Sequence, residues 1–172
     1  GPGSSIRLWD TTSWKFREIS SAGEASPFSR SQMTQPILLP DERSILMAGR
    51  DGTLEFRNLI SGQTDGILAT GSLGASGMVV SPDGGQMAVS TMEGTVTVWD
   101  LATRAMIDVL RGHLLGVHAV AFSPDGQRIA SAGNGAEAVK LWDAVTHQEV
   151  ATLPGQGAFF RVVKFSPGGR FL

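Results

Sequence analysis

Apolar and polar positions alternate over short stretches of this chain, and turn-forming residues break the pattern at regular intervals. Val117 to Phe122 (V-H-A-V-A-F) shows it best: the period of two belongs to a half-buried strand. Ser123-Pro124-Asp125-Gly126 then predicts a turn, because proline presets φ and glycine accepts a positive one. Arg128 to Ala132 predicts a second strand whose small apolar residues fit burial on both faces. Gly133-Asn134-Gly135 turns the chain, Ala138 to Trp142 is the third strand, Asp143 to His147 turns again, and Glu149 to Leu153 is the fourth. No segment carries the 3.6-residue period of an amphipathic helix, so the expected fold class is all-β.

The same unit recurs. Ser81-Pro82-Asp83-Gly84, Ser123-Pro124-Asp125-Gly126 and Ser166-Pro167-Gly168-Gly169 are copies, and Leu39-Pro40-Asp41-Glu42 is a degenerate one; their prolines are spaced by 42, 42 and 43 residues. A second series, Trp9-Asp10, Phe56-Arg57, Trp99-Asp100 and Trp142-Asp143, has aromatics 47, 43 and 43 residues apart. Two independent markers on one period define a repeat architecture, in which one small sheet cannot bury both faces alone and depends on stacked neighbours.

Arg111-Gly112-His113, Val117 through Gly126, Ile129-Ala130-Ser131 and Val139-Lys140-Leu141-Trp142-Asp143 together resemble the WD40 repeat family, and the resemblance covers nearly all of residues 5–172. It implies a β-propeller of four-stranded blades packed radially. It also implies a hydrogen-bonded His, Ser, Trp and Asp set inside each blade. The best copy offers His113, Ser131 and Trp142 but no Asp; the preceding copy offers Ser90 and Trp99, with Glu93 near the Asp position; the copy before that offers Asp51 with Phe56 in place of Trp; Trp9 marks the first. With the polar set incomplete, blade stability is expected to rest on apolar packing, at about 1.5–3 kcal/mol for each fully buried Ile, Val or Leu.

Strand order divides the chain into a half-blade (5–20), a polar loop (20–36), repeats at about 37–70, 71–112 and 113–155, and a second half-blade (156–172). Residues 6–10 and 14–19 match third and fourth strands; Arg161 to Phe165 and Arg170 to Leu172 match a first strand and the start of a second. Three whole repeats plus two complementary halves make four blades. In the family, strands from opposite chain ends seal the ring and remove exposed edges. Closure within one chain would give four blades rotated by about 90°; closure between two chains would give eight at about 45°, the angle that small residues such as Ala88, Ala130 and Ala132 favour. A homodimer with an eight-bladed ring is therefore expected, with an arbitrary piece of a longer propeller as the third possibility. Gly1-Pro2-Gly3-Ser4 reads as the scar of a cleaved tag.

Composition narrows the function. The net charge of −2 gives no basic excess for nucleic acid or a membrane surface. No run of eighteen apolar residues is present, and with no cysteine there is no disulfide or thiolate chemistry, which fits a reducing, cytoplasmic setting. His113, Ser131 and nearby aspartates could be taken for a hydrolase triad, but the blade-internal set explains the same residues. Gly133-x-Gly135-x-x-Ala138 fits a loose dinucleotide fingerprint, yet a strand follows where a helix is needed. His113, His118 and His147 lack metal-ligand spacing, so no metal or cofactor is expected and no enzymatic activity. The resemblance implies a scaffold that binds peptides or proteins across the narrower propeller face. Arg50, Met92, Leu115, Phe159, Phe160 and Arg161 are the expected contributors, and Phe28, Arg30 and Met33 in the polar loop could extend that face. A sensor or architectural domain appended to a larger signalling protein, bacterial among the options, and an engineered or truncated propeller fragment, are the alternatives.

Overall fold

A computed structural model describes residues 6–19, 36–48, 53–69, 75–136, 138–155 and 160–172. Among them there are fourteen strands and no helix. A short antiparallel hairpin, β1 (Arg7–Trp9) and β2 (Phe16–Glu18), is followed by three four-stranded sheets. The first sheet is β3 (Ile37–Leu38), β4 (Ser44–Ala48), β5 (Thr53–Asn58) and β6 (Thr64–Ala69). The second is β7 (Ala75–Val80), β8 (Gln86–Thr91), β9 (Thr95–Asp100) and β10 (Ala105–Arg111), and the third is β11 (Val117–Phe122), β12 (Arg128–Gly133), β13 (Val139–Asp143) and β14 (Glu149–Leu153). In every sheet the strands lie side by side in chain order, all antiparallel. Each of the four strands expected from residue 117 onward is present, with ends shifted by a residue at most.

Two recurrent turns make the sheets. Between first and second strands, Asp83 accepts from the Ser81 hydroxyl at 2.6 Å and from the Gly85 amide at 3.0 Å, with Gly84 at φ +75°. Ser123-Pro124-Asp125-Gly126 repeats it, with Gly126 at +72°. These turns stack on one another: a Cβ on Gly84 would come within 3.3 Å of the Pro40 ring, and one on Gly126 within 3.7 Å of Pro82. Between third and fourth strands, a carboxylate or amide oxygen caps backbone N–H groups of the turn. Asp10 accepts from Thr12 and Ser13, Asn58 from Ile60 and Ser61, Asp143 from Val145 and Thr146, and Asp100 from the Thr103 amide and hydroxyl. The fifth residue of this turn has a positive φ in every copy: Trp14 +55°, Gly62 +71°, Arg104 +57° and His147 +59°.

The core lies between sheets, not within one. Leu46, Leu54, Phe56 and Leu68 of the first sheet meet Met87, Val89 and Trp99 of the second. Ala88, Val96, Val98 and Leu110 of the second meet Val117, Phe122, Ile129 and Trp142 of the third. Ile6, Leu8 and Ile19 of the hairpin segment meet Ile45, Met47 and Leu59 of the first sheet, and the Arg57 guanidinium donates to the Ile19 carbonyl. In β9 and β13 the tryptophan faces the preceding sheet, and Val98, before Trp99, faces the following one. In β5 the expected substitute does not hold: Phe56 faces the following sheet, and Arg57, directly before the turn, takes the tryptophan's place and reaches the hairpin. The first strands run close together, β11 packing on β7 and β8, with the Ser76 hydroxyl donating to the Val117 carbonyl.

The expected half-blades form differently. Within one chain, β1 has β2 as its ladder partner among the described residues. Arg161 to Ser166 is not a strand. The turn after it is nevertheless built: the Ser166 amide donates to the Phe171 carbonyl at 2.8 Å, Gly169 lies at φ +71°, and its Cβ position is 3.6 Å from Pro124. The C-terminal segment thus occupies the stacking position of a fourth first-to-second-strand turn. A strand exists only through its ladder partners, and among the described residues this segment has none.

Candidate functional site

Two features were candidates for chemistry: the polar set inside the third sheet and the loop end of the sheets. In the first, the Ser131 hydroxyl is the hub. His113 Nε2 lies 2.7 Å from Ser131 Oγ, and the Trp142 indole N–H donates to the same oxygen at 2.8 Å. Ser131 is completely buried, so it is no nucleophile; the three groups satisfy one another. Where the resemblance lacks its Asp, a different set stands beside them. Lys140 is buried two residues before Trp142 on the same strand face, and its ammonium donates to Glu149 Oε2 at 3.0 Å and to the Thr152 hydroxyl at 2.8 Å. The Thr152 hydroxyl donates to Glu149 at 2.5 Å. That bond first, then Lys140 and His113, holds the Glu149 carboxyl below its ordinary value. Sequence reasoning missed this set, although a lysine two positions before the tryptophan, across from a Thr and a Glu, was its signal.

Ser90 and Trp99 match the repeat in sequence but do not bond. The Trp99 N–H donates to the Thr97 hydroxyl at 2.9 Å, while Ser90 pairs with Ser76 and with the Gly77 carbonyl. Thr97 occupies the position of Lys140 and offers an acceptor on the same face, so the indole takes the nearer partner. Asp51 lies outside the described residues. Trp9 is 52% exposed and stacks on Phe16 with ring centroids 5.0 Å apart, whereas Trp99 and Trp142 are 7% and 3% exposed.

At the loop end, two glycines let backbones touch. A Cβ on Gly94 would fall 2.9 Å from the His113 carbonyl, and one on Gly116 would fall 2.9 Å from that of Met92. The turn joining β8 to β9 is therefore pressed against the loop joining β10 to β11, and this sets Met92, Leu114 and Leu115 side by side, all exposed. Leu115 also reaches Gly135 in the next turn. Leu114 was not singled out in the sequence, because an apolar pair in a loop carries no periodic signature. Phe160 is half-buried against Gly155, and Arg161 is exposed beside it. Arg50 and Phe159, and Phe28, Arg30 and Met33 of the polar loop, lie outside the described residues.

No group of His, Cys, Asp and Glu among the described residues could hold a metal ion. A cleft of 610 Å³ beside the hairpin is lined by Trp9, Asp10, Ser13, Lys15, Phe16 and Arg17 among others, and the Asp10 carboxylate there is engaged in capping its own turn. No helix among the described residues is long and apolar enough to cross a membrane.

Comparison with known proteins agrees with this geometry. The chain is 26% identical over 147 residues to the Protein groucho of Drosophila melanogaster, an alignment that covers 80% of this chain and 19% of that protein. The chain thus spans about a fifth of the length of this relative. The family model for the WD domain, G-beta repeat, matches residues 55–100 and 104–143, half of the chain. The second match begins on β10, the outer strand of one sheet, and ends on β13 of the next, so the sequence unit is out of step with the sheet. With stacked four-stranded meanders, the Ser131 hub and both matches in agreement, this chain belongs to the WD40 repeat family.

Proposed function

We propose that this chain is a non-catalytic scaffold that binds a peptide or protein partner at the loop end of its sheets, with Met92, Leu114 and Leu115 as the anchor. WD40 membership supports the general role. The observation that carries the site is the contiguous exposed apolar patch formed where Gly94 and Gly116 bring two connections together. Three large apolar side chains on neighbouring loops are costly to leave in water unless a partner covers them. Peptides selected from a displayed library against the intact chain test it. They are expected to carry an apolar residue and to bind the Leu115→Asp variant at least about 10-fold more weakly, the loss of one buried leucine side chain. Equal binding to a variant that melts like the parent rejects the site.

The assembly follows a separate observation. The hairpin offers Trp9 and Phe16 to solvent, and the third sheet leaves Leu141 and Leu153 incompletely covered. These are the two sides of the junction that elsewhere buries Trp99 and Trp142. A second copy of the chain, giving an eight-bladed ring, is the arrangement that covers both.

A further inference from the structure

We propose that Trp14 is the rim contact of that junction: it lies across Val150 and Ala151 on β14 of a second copy. The inference rests on the second-copy reading above and adds the residue that joins the copies at the outer edge.

The argument is the repetition of one turn position. Trp14, Arg104 and His147 each follow an Asp by four residues and share φ values of +55°, +57° and +59°. A left-handed backbone there is unusual for a residue with a side chain, and it aims that side chain out of its own sheet. In both cases where the chain supplies a preceding sheet and the turn residue has a side chain packed on it, the gap is crossed. The Arg104 guanidinium sits 4.7 Å from the Phe56 ring centroid, donates to the Asp65 carbonyl at 3.0 Å, and fills the space a Cβ on Gly66 would need. His147 Nδ1 lies 3.2 Å from Asp108 Oδ2 on β10. Counted from the positive-φ residue of the sheet they reach, Asp65 is third and Gly66 and Asp108 are fourth. In the third sheet those positions are Val150 and Ala151. Val150 is 53% exposed and Trp14 is 73% exposed.

The chemistry matches position by position. Arginine meets an aromatic face and a carbonyl, histidine meets a carboxylate, and the tryptophan would meet a valine and an alanine. The same pairing seats Trp9 over Leu141, as Trp142 is seated over Val98.

Rim contacts also favour a second copy over closure within one chain. The outer strand lies about 14 Å from the inner one, three strand spacings of about 4.8 Å. Sheets turned by about 90° would hold their outer strands roughly 20 Å apart, and no side chain spans that. Hydrogen-bond distances of 3.0 and 3.2 Å at two successive rims require a much smaller rotation, which four sheets cannot close.

The chain has no native cysteine, so single-cysteine variants report cleanly. The chain carrying Trp14→Cys is mixed with the chain carrying Val150→Cys and treated with a short bifunctional maleimide, with Trp14→Cys plus Ile67→Cys as the control and a single chain carrying both Trp14→Cys and Val150→Cys as the double variant; Ile67 is exposed on β6, away from the junction. The expected result is a covalent heterodimer at least 10-fold above the control, together with a light-scattering mass for the parent of twice 18.1 kDa. A dimeric parent with cross-linking no better than the control overturns the Trp14 contact and leaves the second-copy reading standing. A monomeric parent without cross-linking overturns both. A monomeric double variant that cross-links internally shows the chain closing on itself, and an open series of larger oligomers shows an unclosed stack; each overturns the two-copy ring.

Discussion

Single hydroxyls decide how the tryptophans of this chain are held. Ser131 serves two partners at once, so Ser131→Ala leaves a buried indole N–H and an imidazole nitrogen without it. The expected cost is about 1–3 kcal/mol, read as a lower urea midpoint with an unchanged slope. Ser90→Ala is expected to cost less, since Trp99 keeps its bond to Thr97. An equal loss in the two variants would show that the hydroxyls pack and do not bond. The contrast explains what could be read beforehand. The pairing of Ser131 with Trp142 followed from the family resemblance, which the same two positions in the preceding sheet, Ser90 and Trp99, do not obey. The Trp99–Thr97 bond did not, because Thr97 substitutes for a partner the repeat places elsewhere. The Lys140, Glu149 and Thr152 set was hidden for a related reason: its members come together only once β13 and β14 are in register.

At the scale of strands and turns, the alternating pattern was enough to place β11 to β14 within a residue. Turn chemistry did most of that work: proline and glycine bound β11 and β12, and the Asp143 turn separates β13 from β14. The pattern failed at Arg161 to Phe165, which alternates like a strand and lacks a ladder. A periodic pattern records which face is apolar, not whether a neighbour is there to pair. The turn carboxylates give this level a pH dependence. Asp143 is held below its ordinary value of 3.8, first by the Thr146 amide and then by that of Val145; Asp100 and Asp10 are lowered by the same kind of bond. A carboxyl with a depressed folded value stabilises fully above 3.8, and that contribution disappears as pH falls through the folded value. The urea midpoint should therefore hold from pH 7 to 5 and drop below pH 4. Asp143→Asn should flatten part of the drop while keeping the turn, because Asn58 already caps the equivalent amides with its side-chain oxygen. An unaltered acid limb in that variant would place the titration elsewhere.

For the whole molecule, every core cluster is shared by two sheets, so the stability of each depends on the next. Among the described residues, the hairpin and the third sheet each pack on a neighbouring sheet through one face. If a second copy covers the other face of each, the melting temperature must rise with protein concentration, because association adds to the stability of the folded form. A melting temperature constant over a 100-fold concentration range would mean that the exposed tryptophans contribute nothing to holding copies together. The interaction surface was only partly legible at this scale. Met92 and Leu115 could be placed on connecting loops from the strand order. Their adjacency depended on Gly94 and Gly116 allowing two backbones to within contact, a property of the folded packing that no spacing along the chain records.

The offset between matched repeat and sheet has a consequence for how such a chain can lengthen or shorten. A unit such as residues 104–143 donates one strand to the sheet behind it and three to the sheet ahead. Copying that unit in tandem reproduces a whole junction with its rim pair and its stacked proline, so the stack of sheets could grow by one member without redesigning any surface. Deleting it instead lets the flanking strands re-form one intact sheet from two broken ones. Length in this architecture is thus a matter of counting junctions.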